Sequence, residues 1–195
     1  MARDIVGSIT AEFRRYKALA EGALRQLRDE DLSRTNSPTD SPVAVIAWHI
    51  SGNLRSRFTD FLSSDGEKPW RDRESEFKAH EVSRTELLTQ WEEGWQVLLG
   101  TLDALSDDDL DRFVSIRGVP LRVYEALHRS LAHTSYHVGQ IVYVSKMLRG
   151  GAWQYLSIPP GGSEEYNKSP AAEKALAHAD RITRSAPDGA SHRAS

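Results

Sequence analysis

Four stretches of this chain repeat apolar residues at three- and four-residue steps, and that periodicity constrains the fold more than any other feature. The first runs from Asp4 to about Arg28, where Ile5, Ile9, Phe13, Tyr16, Ala20, Leu24 and Leu27 form one stripe between charged residues. The second follows the turn-forming run from Thr35 to Pro42 and extends to about Leu62, with Ser41 reading as the N-cap and Pro42 as the first helical residue. Leu87, Leu88, Trp91, Trp95, Leu98, Leu102 and Leu105 mark the third. The fourth runs from Pro120 to Leu148, carries Val123, Leu127, Leu131, Val138, Ile141 and Leu148, and stops at the Gly150-Gly151 pair. Four long amphipathic helices predict an all-α fold, a four-helix bundle.

The connections differ in character. Ser63 to Ser83 is charged and contains Gly66 and Pro69, which predicts a long irregular loop of the kind that often holds binding groups. Ser106 to Leu110 reads as a capped turn of helix whose three aspartates suit a helix N-terminus. Arg112 to Val119 alternates weakly around Gly118, enough for a short hairpin or an extended link. Beyond the bundle, Trp153 to Asn167 reads as irregular, Pro170 to Thr183 as a short helix, and Ser185 to Ser195 as a disordered tail. The chain thus divides into a bundle domain over 1–167 with its C-terminal loop and an extension over 168–195.

Composition removes several classes of function. Lys and Arg number 25 against 28 Asp and Glu, a net charge of −3 that offers no broad positive field for a phosphate backbone, so nucleic acid is not an expected partner. There is no cysteine, which excludes disulfides, thiolate metal clusters and a cysteine nucleophile. The longest unbroken apolar run, Val43 to Trp48, is far too short to cross a membrane, and the first residues lack the apolar core of a signal peptide. A soluble, cytoplasmic protein is expected.

With thiolates excluded, a metal would need histidine or oxygen ligands. His133 and His137 stand four residues apart on the fourth helix, so their rings project from one face about one turn apart and can share an ion. Gln140 lies on that face as well. The pair alone is a weak signal, since such histidines are often surface or core-edge residues. His49 on the second helix supplies a third candidate. It heads a polar row with Asn53 and Arg57 beside the apolar stripe Ile46, Ile50, Leu54, Phe58 and Phe61, and such a row is either a wetted rim or the lining of an internal cleft. Bundle proteins build metal sites from facing helices in this way. Three histidines without a fourth protein ligand leave coordination positions open, the pattern of a catalytic site.

Other chemistries lack their residues. A di-iron centre needs Glu-x-x-His, but Ser130 and Thr134 precede the two histidines by three positions; a zincin needs Glu where Thr134 stands. Neither a Gly-x-Ser-x-Gly elbow nor a phosphate-binding glycine loop is present. Glu125, about two turns before His133, is the nearest acid on that helix and a poor general base at that distance. His128 lies about 140° around the helix from His133, while His80, His178 and His192 read as incidental. Trp91 and Trp95 fit the core, and Trp48 fits either core or cleft wall. Trp70, set among Arg71, Asp72 and Arg73, reads either as part of a lid over an anionic ligand or as the buried anchor of a charged loop.

The order His49, then His133-x-x-x-His137-x-x-Gln140-Ile141, resembles the DinB/YfiT-like superfamily of metal-binding four-helix proteins. The segments Trp48 to Phe58, Asp65 to Arg73, Tyr136 to Tyr143 and Leu156 to Pro159 look like an uncharacterised branch of it, and the likeness covers about Met1 to Asn167. Pro160 departs from it, standing where a basic residue is expected. The resemblance implies a DinB-like bundle, often homodimeric, in which His49, His133 and His137 hold a divalent ion, zinc or nickel. It also implies a metal-dependent transferase that activates a low-molecular-weight thiol co-substrate, or water, for attack on a small-molecule electrophile. The alternatives are a non-catalytic, stress-associated metal-binding protein and a metal-dependent hydrolase. Asn53, Arg57, Trp70, Arg73 and Gln140 are the candidate residues for substrate binding or for orienting the ligands, Arg57 and Arg73 above all if the thiol is anionic.

Overall fold

The computed structural model describes residues 4–35, 40–78, 82–170 and 172–185. Among them are eight α-helices and one two-stranded sheet: α1 (Ile5–Leu24), α2 (Asp29–Leu32), α3 (Val43–Phe58), α4 (Arg73–Glu76), α5 (Arg84–Ala104), β1 (Phe113–Ile116), β2 (Val119–Arg122), α6 (Val123–Arg149), α7 (Ser163–Lys168) and α8 (Ala175–Arg184). The four long helices α1, α3, α5 and α6 coincide with the four periodic stretches. Helix α3 packs against α5 and α6, and α1 packs against α6 and α5, which closes the four around a common core. Phe13, Ile50, Leu54, Phe58, Trp91, Trp95, Leu98 and Leu127 fill it. Phe13 meets Phe58 and Trp95 edge-on at 6.5 and 6.4 Å, the offset that ring quadrupoles favour. No helix among the described residues is long and apolar enough to cross a membrane.

Local chemistry sets the helix ends. Asp4 caps α1 through Gly7 N, and Asp107 accepts from Ile5 N and Val6 N at 2.9 Å each. The aspartate run after α5 therefore serves the N-terminus of α1 from 102 positions away, as well as a 3-10 turn of its own over Asp107–Asp109. Ser83 and Glu86 form a reciprocal capping box at α5.

Three boundaries differ from the sequence reading. Pro42 is the N-cap of α3 and Val43 its first residue, one position later than expected. Helix α3 stops at Phe58 instead of near Leu62, because Thr59 turns extended with a ψ of 125° and Asp60 adopts a φ of +50°, while the Thr59 hydroxyl donates to the Arg55 carbonyl at 2.7 Å. Pro120 begins no helix; it lies in β2 opposite Ser115, and α6 starts at Val123, where Glu125 accepts from Arg122 N at 2.7 Å.

The hairpin turns through Arg117 and Gly118 with φ of +55° and +72°, the paired left-handed geometry whose twist suits a two-residue loop. Asp65, on the loop after α3, accepts from Arg117 N and Gly118 N at 2.8 Å each and from Ser115 Oγ at 2.6 Å. These bonds, the Ser115 bond first, hold its carboxyl far below the usual range. They fasten the hairpin to the loop that leaves α3 and so bring it over the α3–α6 side of the molecule.

The short helix expected over Pro170 to Thr183 forms as α8. Helix α7 falls within and beyond the stretch read as irregular, and α8 packs on α1 through Ala175, Ala179 and Ile182. His178, read as incidental, is buried and bonds the Leu156 carbonyl at 2.8 Å, which ties α8 to the preceding loop. The expected disorder of the tail falls almost wholly outside the described residues.

Candidate metal centre

Helices α3 and α6 lie side by side, and each turns a histidine face toward the other. His49 follows the inner stripe of α3 and is only 5% exposed. His133 and His137 flank the buried Thr134 on α6 and are half-buried. The ring centroids stand 4.6 Å apart for His133 and His137, 5.2 Å for His49 and His133, and 4.9 Å for His49 and His137. One nitrogen from each ring falls within 4.8 Å of the other two, so the group could hold a metal ion.

Partners on the outer nitrogens orient two of the rings. His49 Nδ1 lies 2.9 Å from Glu76 Oε2, and His137 Nδ1 lies 2.7 Å from Gln140 Oε1. Both oxygens accept, so each Nδ1 holds the proton and leaves Nε2 as the free lone pair. His49 Nε2 stands 3.3 Å from His133 Nε2. A tetrahedral ion with nitrogen ligands at ~2.0–2.1 Å separates them by roughly 3.3–3.4 Å, so this pair fits such an ion as it stands. The donor set of three imidazoles fits a divalent transition-metal ion of borderline softness. His133 Nδ1 is buried with no partner among the described residues.

Behind His49 the site is rigid. Arg71 donates from Nε to Glu76 Oε1 and from a terminal nitrogen to Oε2, both at 2.8 Å, and the side chains of both residues are almost fully buried. Burial pushes the Glu76 carboxyl up, but the bonds from His49 and Arg71 outweigh it and hold the group below its usual range, as an anion. Gly52 makes room for it: a Cβ there would stand 2.1 Å from Glu76 Oε1. Phe77 covers His49 with ring centroids at 4.7 Å. Burial, then repulsion from His137 and His49, lowers His133 to about 4, and burial also lowers His137. Neutral imidazole is the form that binds a metal, so both rings are ready for one at neutral pH.

A cleft of about 200 Å³ opens beside His49 and His133. Of the residues singled out in the sequence, Asn53, Arg57 and Arg73 line it. Gln140 does not, being engaged with His137. Trp70 does not either: it is 53% exposed with Arg55 over its ring at 5.6 Å, which is neither a lid nor a buried anchor. Trp48 is half-buried against the core. Glu125 is a helix cap, His128 is exposed beside Tyr124, and His80 and His192 lie outside the described residues. Sequence reasoning missed Glu76 and Arg71 behind His49, and Arg117, Arg129 and Ser130 in the cleft. Only the charge density of the 63–83 loop hinted at the first two.

Fold and site together define a mostly helical protein with a three-histidine group, contributed by two facing helices, that could hold a metal ion. The chain belongs to the family described as protein of unknown function (DUF1572), whose model matches residues 1–162. That match spans the four long helices, the hairpin and all three histidines, and ends just before α7. No curated protein and no solved structure matches the chain.

Proposed function

We propose that this chain is a DinB-like, metal-dependent transferase in which His49, His133 and His137 hold one divalent ion, zinc or nickel. The observation that carries the reading is the convergence of three imidazoles from two helices, two of them with the Nδ1 proton already fixed by Glu76 and Gln140. A bound ion would supply Lewis acidity at its open positions, lowering the pKa of a thiol or a water. The protein's own share is positional. Glu76 and Arg71 lock His49, Gln140 turns His137, and the cleft beside His49 and His133 admits a small co-substrate. A thiol suits this arrangement better than hydrolysis, because among the described residues no carboxylate lines the cleft and Glu76 is committed to Arg71 and His49, which leaves no free general base among them.

The test is metal content by mass spectrometry on untagged protein, wild type beside His49→Ala and His137→Ala, with folding followed by circular dichroism. About one ion per chain, lost in both folded variants, supports the site, and the loaded protein is then expected to consume a low-molecular-weight thiol with a chlorinated dinitroarene. A wild type that takes up no metal after reconstitution refutes the reading.

A further inference from the structure

We infer that the cleft beside the histidines is a binding site for a small organic anion, held by Arg73, Arg129 and the Ser130 hydroxyl. The inference deepens the metal-site reading by naming a substrate class, and rests on it only for what happens to the ligand once bound.

The argument is an inventory of donors and acceptors. Among the described residues five guanidiniums line the cleft, from Arg57, Arg71, Arg73, Arg117 and Arg129, and none of the lining residues carries a carboxylate. Arg71 is closed by both oxygens of Glu76. Arg57 and Arg117 divide one carboxylate, Glu67, at 3.1 and 2.8 Å. Among the described residues Arg73 lies over the Phe77 ring at 4.8 Å and has one ion-pair partner, Glu74, which is 82% exposed, a contact worth little in water. Arg129 has no hydrogen-bond or ion-pair partner among the described residues, and the Ser130 hydroxyl is buried without one. Asp65, beside the hairpin turn, is occupied by hairpin amides and Ser115. With the solvent-exposed Glu74 set aside, five guanidiniums face the two carboxylates Glu67 and Glu76, which leaves three positive charges over on a chain whose net charge is −3. The unmet groups are thus donors, and a buried hydroxyl without a partner is costly until a ligand supplies the acceptor.

The walls decide the rest of the ligand. Phe58, Phe61 and Ile116 line the same cleft, which lowers the local dielectric around the guanidiniums and offers contact to an apolar body. The volume of about 200 Å³ limits that body to a small molecule. An anionic head supplies acceptors to Arg73, Arg129 and the Ser130 hydroxyl, while its apolar portion lies against Phe58, Phe61 and Ile116.

The experiment uses benzoate as the probe and benzyl alcohol as its neutral counterpart, titrated by calorimetry or NMR into the full chain at low salt, metal-loaded and after chelation. Benzoate is expected to bind at least tenfold more tightly than benzyl alcohol in both forms. Arg73→Ala and Arg129→Ala, both at exposed positions, are each expected to weaken benzoate about tenfold with unchanged circular dichroism, as a lost charged hydrogen bond requires. His137 does not line the cleft, so His137→Ala is expected to keep benzoate binding whether or not it loses metal, which separates failure of this inference from failure of the metal reading. Equal binding of the two probes, benzoate affinity indifferent to both arginine substitutions, or binding that vanishes on chelation would overturn it.

Discussion

Gly52 on α3 offers a direct test of the arrangement behind His49. An alanine there would place its Cβ 2.1 Å from Glu76 Oε1 and 2.8 Å from Glu76 Cδ, distances that real Cβ atoms do not tolerate. The carboxylate cannot swing aside freely, since it is 4% exposed and bound by Arg71 and His49. Three terms set the size of the effect. Overpacking of this kind costs about 1–3 kcal/mol. Pulling Glu76 from Arg71, whose side chain is 2% exposed, costs up to about 3–5 kcal/mol if the pair separates fully. Replacing glycine inside a helix returns about 1 kcal/mol. The expected net for Gly52→Ala is a loss of about 2–4 kcal/mol.

The same substitution in a Glu76→Ala background removes the clash. Only the helix term should survive there, leaving Gly52→Ala neutral or stabilising by up to about 1 kcal/mol. Urea denaturation of the four proteins in chelator gives the cycle, with an expected coupling of at least about 2 kcal/mol. Metal titration of the same set should show Gly52→Ala weakening the site about 10- to 100-fold, as loss of an orienting carboxylate does. A Gly52→Ala penalty that is equal in both backgrounds would refute the argument that glycine is there to admit the Glu76 carboxylate.

The unfolded chain protonates His133 near 6.5 but the folded chain only near 4, so metal-free protein should lose stability as pH falls between those values; urea midpoints at pH 7 and pH 5 measure this, and His133→Ala should flatten the dependence. Asp65→Ala should accelerate hydrogen exchange at the amides of Glu67, Arg117 and Gly118 while leaving α1 and α5 protected, and unchanged exchange there would show that the hairpin is held by other contacts. Gly94 on α5 faces the backbone of Ser51, where a Cβ would meet Cα at 2.8 Å; Gly94→Ala should push α3 away, cost about 1–3 kcal/mol in a urea titration, and weaken metal binding through His49.

What could be read from the sequence and what could not follow from the range of the forces involved. Helices α1, α3, α5 and α6 were legible because burying one face imposes a 3.6-residue period that a single chain displays on its own. His49, His133 and His137 were legible for the same reason, since their spacing against those stripes fixes which faces they share, and Gln140 stood out by its three-residue step from His137. Helices α4 and α7 were not, because four and six residues are too few to show a period. The early end of α3 depends on an extended Thr59 and a left-handed Asp60, and the strand position of Pro120 on pairing with Ser115.

The supporting half of the site belongs to that second kind. Glu76 reaches His49 from 27 positions away, on a loop whose acids and arginines all look solvated until the loop folds back and buries one pair of them. Arg129 and Ser130 occupy opposite classes of exposure on α6, and what makes them neighbours of one cleft is the hairpin held over that helix by Asp65. Arg117 enters the cleft from the turn of that hairpin, at a position with φ of +55° that no periodicity predicts. Ligand-bearing faces are thus encoded locally, by helix period, while the charges that tune and surround them are encoded by loop closure. Substitutions at Arg73 in the 63–83 loop and at Arg117 in the hairpin are therefore expected to change what the cleft holds while leaving the three histidines in place.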